Sequence, residues 1–258
     1  MDTRVLQSHT SRSYIVVQFA SSLSDKYTMA LSIGSGISIG GGISLSVAPT
    51  GPTTIGEFYG GGYYVGKIST TGTGVADYYL IVAPFAYELY KQYCTASTMT
   101  GIASPIDGPG NTAALVALGT TYEAGYYCGV TCNAAGGING YADWYLPAYC
   151  ELEVAYYNLK PGTVANVTFS GNNPYAVPPE PFDTVYTAGA PAQTTVALFQ
   201  TGGAQAFGEA GYWSSTESFN PGTEALNAWY QYFLSGDQYY GTKQATWLLA
   251  RPFRRIPI

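Results

Sequence analysis

From position 227 to position 248 the side chains alternate in kind. Trp229, Gln231 and Phe233 fall on one side, and Tyr230, Tyr232 and Leu234 on the other. A period of two places successive residues on opposite faces of a strand. Ser235-Gly236-Asp237 then supplies turn chemistry, and a polar-aromatic run returns through Tyr239, Tyr240 and Trp247. The pattern predicts a β-hairpin with one buried face and one outward face rich in tyrosine.

The same reasoning places the other elements. YIVVQF at 14–19 is a β-branched and aromatic run and predicts a strand. Residues 55–66 lead into a second strand, and after a Gly/Thr turn 77–84 make a third. Asn111 is a good cap for a helix over the apolar run 113–118. Residues 150–159 carry Leu152, Ala155, Tyr156 and Leu159 three and four apart, which predicts a helix with one apolar stripe. Pro147 sits where that helix can begin and Pro161-Gly162 ends it, so the helix is expected to be scaffold. Residues 163–208 read as a long Pro-, Asn- and Gly-rich loop, with a short helix around 194–200. At the other end, residues 1–13 are polar and expected to order only against a partner. Residues 33–47 repeat isoleucine and glycine on a six-residue period. Such a ribbon cannot cover its own apolar side chains, so neighbouring strands or neighbouring chains must do so. VAPTGPTT at 47–54 reads as a linker, with a boundary near residue 52: an N-terminal β-rich segment 1–52, then one domain over 53–258.

Composition narrows the function. Only 10% of the 258 residues are charged, against about 25% in an ordinary soluble domain, while there are 25 tyrosines and 32 glycines. The formal net charge of −6 argues against nucleic-acid binding, which needs clustered cations. The one basic cluster, Arg251, Arg254 and Arg255, reads as a set of partners for buried or interface carboxylates. No signal peptide or membrane span is expected, since Met1-Asp2-Thr3-Arg4 precedes polar residues and no apolar run approaches about 18 residues.

Catalytic chemistry finds no foothold. His9 is the only histidine, which excludes a Cys₂His₂ zinc site, and its place in a polar N-terminal tail argues against a Ser-His-Asp or Cys-His arrangement. Cys94, Cys128, Cys132 and Cys150 read as buried free thiols, with a single disulfide as the alternative. Glu151 and Glu153 are two apart on a predicted helix, point to different faces, and read as surface charge. No enzyme, metal or cofactor is expected; binding remains.

Three strings carry a family resemblance: Tyr212-Trp213-Ser214-Ser215-Thr216-Glu217, the AWYQ-F-x-x-G hairpin from Ala228, and Ala250-Arg251-Pro252-Phe253-Arg254-Arg255. With DWYLPA from Asp143 and the NTAAL run from Asn111, they resemble the variable proteins of diversity-generating retroelements, which occur mainly in bacteriophages. The resemblance covers roughly residue 55 to the end. It implies an α+β fold with a C-type-lectin-like domain of two helices, antiparallel sheets and long loops. It further implies a phage tail-fibre or tail-tip protein, displayed on the virion, that binds a host-surface protein or glycan. The N-terminal segment would contact other virion proteins and assemble an oligomer, with a trimer favoured. A capsid decoration protein on the same fold is the alternative. Calcium-dependent sugar binding is not implied, because Trp213-Ser214-Ser215 stands where a sugar-binding lectin has WND.

In that family the hairpin between the fixed strings is diversified at asparagine codons. Randomising the first two bases of such a codon reaches Tyr, Asp, Leu, Gly and Ala, but not Trp, Gln or Lys. The resemblance therefore assigns ligand binding to Tyr230, Tyr232, Leu234, Asp237, Tyr239, Tyr240, Gly241, Ala245 and Leu248. It assigns scaffold to Trp144, Trp213, Trp229, Phe233 and Arg251. Trp247 and Gln244 lie outside the reachable set. The first group is expected to face solvent or ligand, with Trp229 and Phe233 facing the core.

Overall fold

Tyr14–Phe19, the β-branched run, is strand β2, and it pairs antiparallel with β1 (Asp2–Gln7) and β3 (Met29–Leu31) in a three-stranded sheet. The polar N-terminus thus finds its hydrogen-bonding partner within the chain, where a separate partner was expected. The computed structural model describes residues 51–179, 185–218 and 226–258 in full, together with the backbone of these three strands. The Ile/Gly repeat at 33–47 lies outside the described residues.

The chain divides into two units, Met1–Ala48 and Pro49–Ile258. The division falls slightly before the expected boundary because Gly51 and Pro52 are already buried. A Cβ on Gly51 would fall on the ring of Tyr79, so this stretch belongs to the larger unit.

The larger unit is α+β. One sheet runs in the order β12 (Phe253–Pro257), β6 (Tyr78–Val82), β5 (Gly62–Ile68) and β4 (Phe58–Tyr59), all antiparallel. The second runs β10 (Gln238–Thr242), β9 (Asn227–Tyr232), β8 (Gly211–Glu217), β11 (Leu249–Ala250) and β7 (Leu89–Tyr90). Its β8–β11 pair is parallel, a departure from the purely antiparallel expectation.

Among the described residues this unit has three α-helices. Helix α1 (Gly108–Ala117) starts before the expected position, because Asp107 caps it by accepting a 3.0 Å bond from Gly110 N, and Pro109 fits the first turn. Asn111 lies inside α1 instead, buried, with its amide donating to Ser104 O and Ser215 Oγ. Helix α2 (Glu123–Gly129) was not anticipated; its Gly125 lets it approach Leu115 of α1. Residues 163–208 are a long loop with only isolated bridges and a 3₁₀ turn at Ala197–Phe199, among the described residues.

Helix α3 (Tyr149–Leu159) packs on β5 of one sheet and on β8 and β9 of the other. Coverage on both sides removes any solvent face for most of its length. Glu151 and Glu153, expected to be surface charges, are both 0% exposed. Glu151 reaches back to Ala148 N at 2.7 Å and takes bonds from Tyr145 Oη and Arg255 Nε. Glu153 accepts from Tyr186 Oη at 2.6 Å and Asn173 Nδ2 at 2.8 Å. It meets no cation among the described residues, and burial pushes its carboxyl up to about 8 against the pull of those two donors.

The basic cluster is spent on carboxylates, as its composition suggested. Arg254 makes a two-pronged contact with Asp143, Arg255 pairs with Glu151, and Arg251 stands 3.5 Å from Glu88. All four cysteines are buried free thiols.

Glu153 sets a pH dependence with a definite sign. Its folded-state value lies above the ordinary 4.5, so the native state holds a proton that the unfolded chain releases. The group's contribution is complete below the unfolded value and is lost as pH rises toward about 8. Between those limits stability should fall by up to about 1.4 kcal/mol per pH unit from this group. Thermal melts of wild type and Glu153→Gln from pH 5 to pH 9 should show a smaller pH slope in the variant.

Candidate binding surface

Strand β8 is buried at every position from Gly211 to Glu217. A fully buried strand with three consecutive hydroxyl residues must find each a partner. Ser214 Oγ donates to Trp229 O at 2.9 Å, and Thr216 Oγ1 donates to Ser104 O at 2.9 Å while accepting from Tyr149 N. Ser215 Oγ accepts from Asn111, and its backbone N donates to Pro147 O. Trp213 is 0% exposed and its indole N–H donates to Lys91 O. Trp213, Trp144, Phe233 and Arg251, residues assigned to the scaffold, are all buried.

The strand ends on a buried ion pair. Glu217 Oε1 lies 2.5 Å from Lys243 Nζ, Glu217 Oε2 takes the Thr100 and Gly101 N–H groups, and Lys243 also donates to Thr98 O. Lys243 follows the last residue of β10, so this pair pins the base of the hairpin to the frame. At the other end Gly236 adopts a φ of 74°, and a Cβ there would strike the Tyr156 ring. Only glycine meets both demands cheaply.

Between these fixtures β9 and β10 pair in register, Tyr239 opposite Tyr230 and Tyr240 opposite Trp229. Opposite residues share a face. On the face toward α3, Phe233 is buried against Tyr156, but Trp229 is only half-buried, between Tyr149 at 5.6 Å and Tyr240 at 5.9 Å. The core placement expected for Trp229 is corrected: only the first residue of α3 reaches over it.

On the other face Tyr230 lies between buried Trp213 and exposed Trp247, with ring centroids 6.4 Å and 5.8 Å away. Gly211 and Gly241 make room for it, since a Cβ on either would come within 3.3 Å of the Tyr230 ring. Tyr239 is 46% exposed and stacks on Tyr240 at 4.5 Å. Tyr232, Leu234, Asp237, Tyr240 and Gly241 are half-buried.

Two assigned positions are not outward. Ala245 is 7% and Leu248 0% exposed, both in the core with Trp213. After Thr242 the chain is drawn inward by Lys243, and Leu248 O then accepts from Lys91 N, which turns that side chain to the interior. Alternation sends the preceding Trp247 outward, 55% exposed. Trp247 and Tyr149 are thus surface residues that codon reasoning left out. Tyr149 sits on α3, remote in sequence from the hairpin, and only the packing of α3 on β9 could reveal it.

Around this surface the exposed neighbours Thr242, Gln244 and Thr246 are uncharged. No group of three metal-ligating side chains occurs among the described residues, and no helix of theirs is long and apolar enough to cross a membrane.

The division between frame and surface is measurable. Lys243→Met strands the Glu217 carboxylate in the interior and should cost about 3–5 kcal/mol in urea melts. Leu248→Ala should cost about 2–5 kcal/mol. Tyr239→Ala should stay within about 0.5 kcal/mol. Searches against protein-family models, curated proteins and solved structures find no match to this chain.

Proposed function

We propose that this chain is a phage virion protein whose C-type-lectin-like domain presents a diversified hairpin to a host-surface ligand, without catalysis. The observation that carries the reading is the contrast within one hairpin. Its ends are held by a buried ion pair and a glycine turn, while its middle puts Tyr230, Tyr232, Tyr239 and Trp247 at the surface. A frame built that way tolerates exchange of the outward residues without loss of fold. Tyrosine suits the task, because it offers large amphipathic contact area for few rotatable bonds. The mixed α+β architecture is compatible with the lectin-type fold that the sequence resembles. On this reading the N-terminal unit attaches the domain to the particle, and many copies per particle raise a modest single-site affinity.

Sequencing the region encoding 226–248 across sister isolates tests the reading. Substitutions should concentrate at Tyr230, Tyr232, Leu234, Asp237, Tyr239, Tyr240 and Gly241, and spare Phe233, Gly236 and Lys243. Ala245 and Leu248 should vary only among residues that fit a closed core. A hairpin that is constant, or one that varies no more than the helices do, would sink the proposal.

A further inference from the structure

On the face toward α3 the hairpin carries a row of rings that the frame does not close over. Tyr149, the first residue of α3, lies 5.6 Å from Trp229 on β9, with the two planes tilted by 30°. Trp229 meets Tyr240 on β10 at 5.9 Å and 87°, and Tyr239 continues the row around the sheet edge, stacked on Tyr240 at 4.5 Å. Tyr149, Trp229 and Tyr240 are half-buried and Tyr239 is exposed, so the row runs along the surface from the helix to the edge. Between Trp229 and Tyr240 a wall stands at right angles to a floor, a corner that holds a rigid ring on two sides.

Most polar groups beside this row are engaged within the frame. Ser214 Oγ donates to Trp229 O, and Thr216 Oγ1 takes the Tyr149 N–H. At the edge, Gln238 N donates to Ser170 Oγ, and Gln238 Oε1 accepts from Gly171 N. Lys243, the one cation among the described residues of the hairpin, is committed to Glu217. The indole N–H of Trp229 differs. Trp144 and Trp213 give theirs to the carbonyls of Tyr141 and Lys91, whereas that of Trp229 meets no acceptor among the described residues. An indole at a surface, with its N–H outside the frame's own bonding, offers a donor to a ligand.

We propose that Tyr149, Trp229 and Tyr240 form a subsite for an extended, proline-rich segment of a polypeptide ligand. The inference rests on the binding role proposed above and names the chemistry recognised there. A polyproline II segment has no internal hydrogen bonds, so its carbonyls are open acceptors, and its prolines carry no N–H. The row offers the complement: flat faces for the pyrrolidine rings and a donor-only indole for a carbonyl. Such a segment is stiff beforehand, so it loses little conformational freedom on docking. A glycan brings hydroxyl donors as well as acceptors, and the engaged side chains leave those donors few partners. Tyr149 and Trp229 lie outside the positions assigned to diversification. The preference for proline is therefore a property of the fixed frame, which exchange at Tyr240 adjusts.

Isothermal titration calorimetry on the full chain tests the subsite. The probes are acetyl-hexaproline-amide, an alternating glycine-serine peptide of the same length and end groups, and maltohexaose. Hexaproline should saturate below about 10 mM, and the glycine-serine peptide and maltohexaose should bind at least about tenfold more weakly. Trp229→Phe keeps a ring but removes the N–H, and should weaken hexaproline binding about fivefold. Tyr149→Ala should weaken it by at least about as much. Failure of hexaproline to saturate, equal binding of the glycine-serine peptide or of maltohexaose, or undiminished binding by either variant overturns the proposal. The comparison of the three probes uses wild-type protein, so it decides the matter even if a variant is damaged. A constant hairpin among sister isolates would remove the diversified role and leave this result standing. Failure of hexaproline with a variable hairpin would remove the subsite alone.

Discussion

Strand β8 is the constraint from which the rest of the larger unit follows. It is buried on both faces yet carries Ser214, Ser215, Thr216 and Glu217 in succession. Burying four polar side chains without partners would cost several kcal/mol, so the surrounding segments are fixed by what they must supply. Loop 98–104 provides carbonyls and amides, α1 provides Asn111, the start of α3 provides the Tyr149 N–H, and the end of β10 provides Lys243. Segments far apart in sequence are thereby held at one strand. The buried Lys243–Glu217 pair adds little net stability by itself, since desolvating two charges offsets their attraction. Its effect is geometric: either partner left alone would be intolerable, so the hairpin base has one position.

Helix α3 supplies the second layer of that rigidity. It is closed off by sheet on two sides and keeps two glutamates in its interior. One of them, Glu151, is neutralised by Arg255 from β12, which joins the C-terminal strand to the centre of the unit. The other is held by neutral donors alone. The scarcity of charge noted in the composition acquires a structural meaning here. The arginines of the C-terminal motif and Lys243 are internal fasteners, and Lys243 is the one cation among the described residues of the hairpin, 226–248.

That surface is therefore, among the described residues, an aromatic patch with few charges, Asp237 among them. Its rings are not loose. Tyr230 rests on Trp213 and fits between two glycines, and Tyr239 stacks on its neighbour. Contact area that is already ordered loses little entropy on binding, which favours recognition by a small patch.

Alternation along the chain was enough to place β9, β10 and the turn between them, because a strand half-exposed to solvent writes its two faces into the sequence. Phe233 inward and Tyr239 outward were legible for that reason. The buried helix α3 was legible as a helix, but its one apparent stripe concealed that the other side is covered too. Glu151 and Glu153 look like surface residues until Arg255, Tyr186 and Asn173 arrive from other segments to satisfy them. Leu248 left its expected outward place, and Trp247, to which no face had been assigned, emerged beside it, where Lys243 is drawn inward and Leu248 O accepts from Lys91 N. Local pattern thus determined the elements and the chemical character of the hairpin. Only the tertiary structure decided which polar groups are buried and which aromatics emerge, since both depend on partners from other segments, from 20 residues away at Glu153 to more than 100 at Lys243 and Glu151.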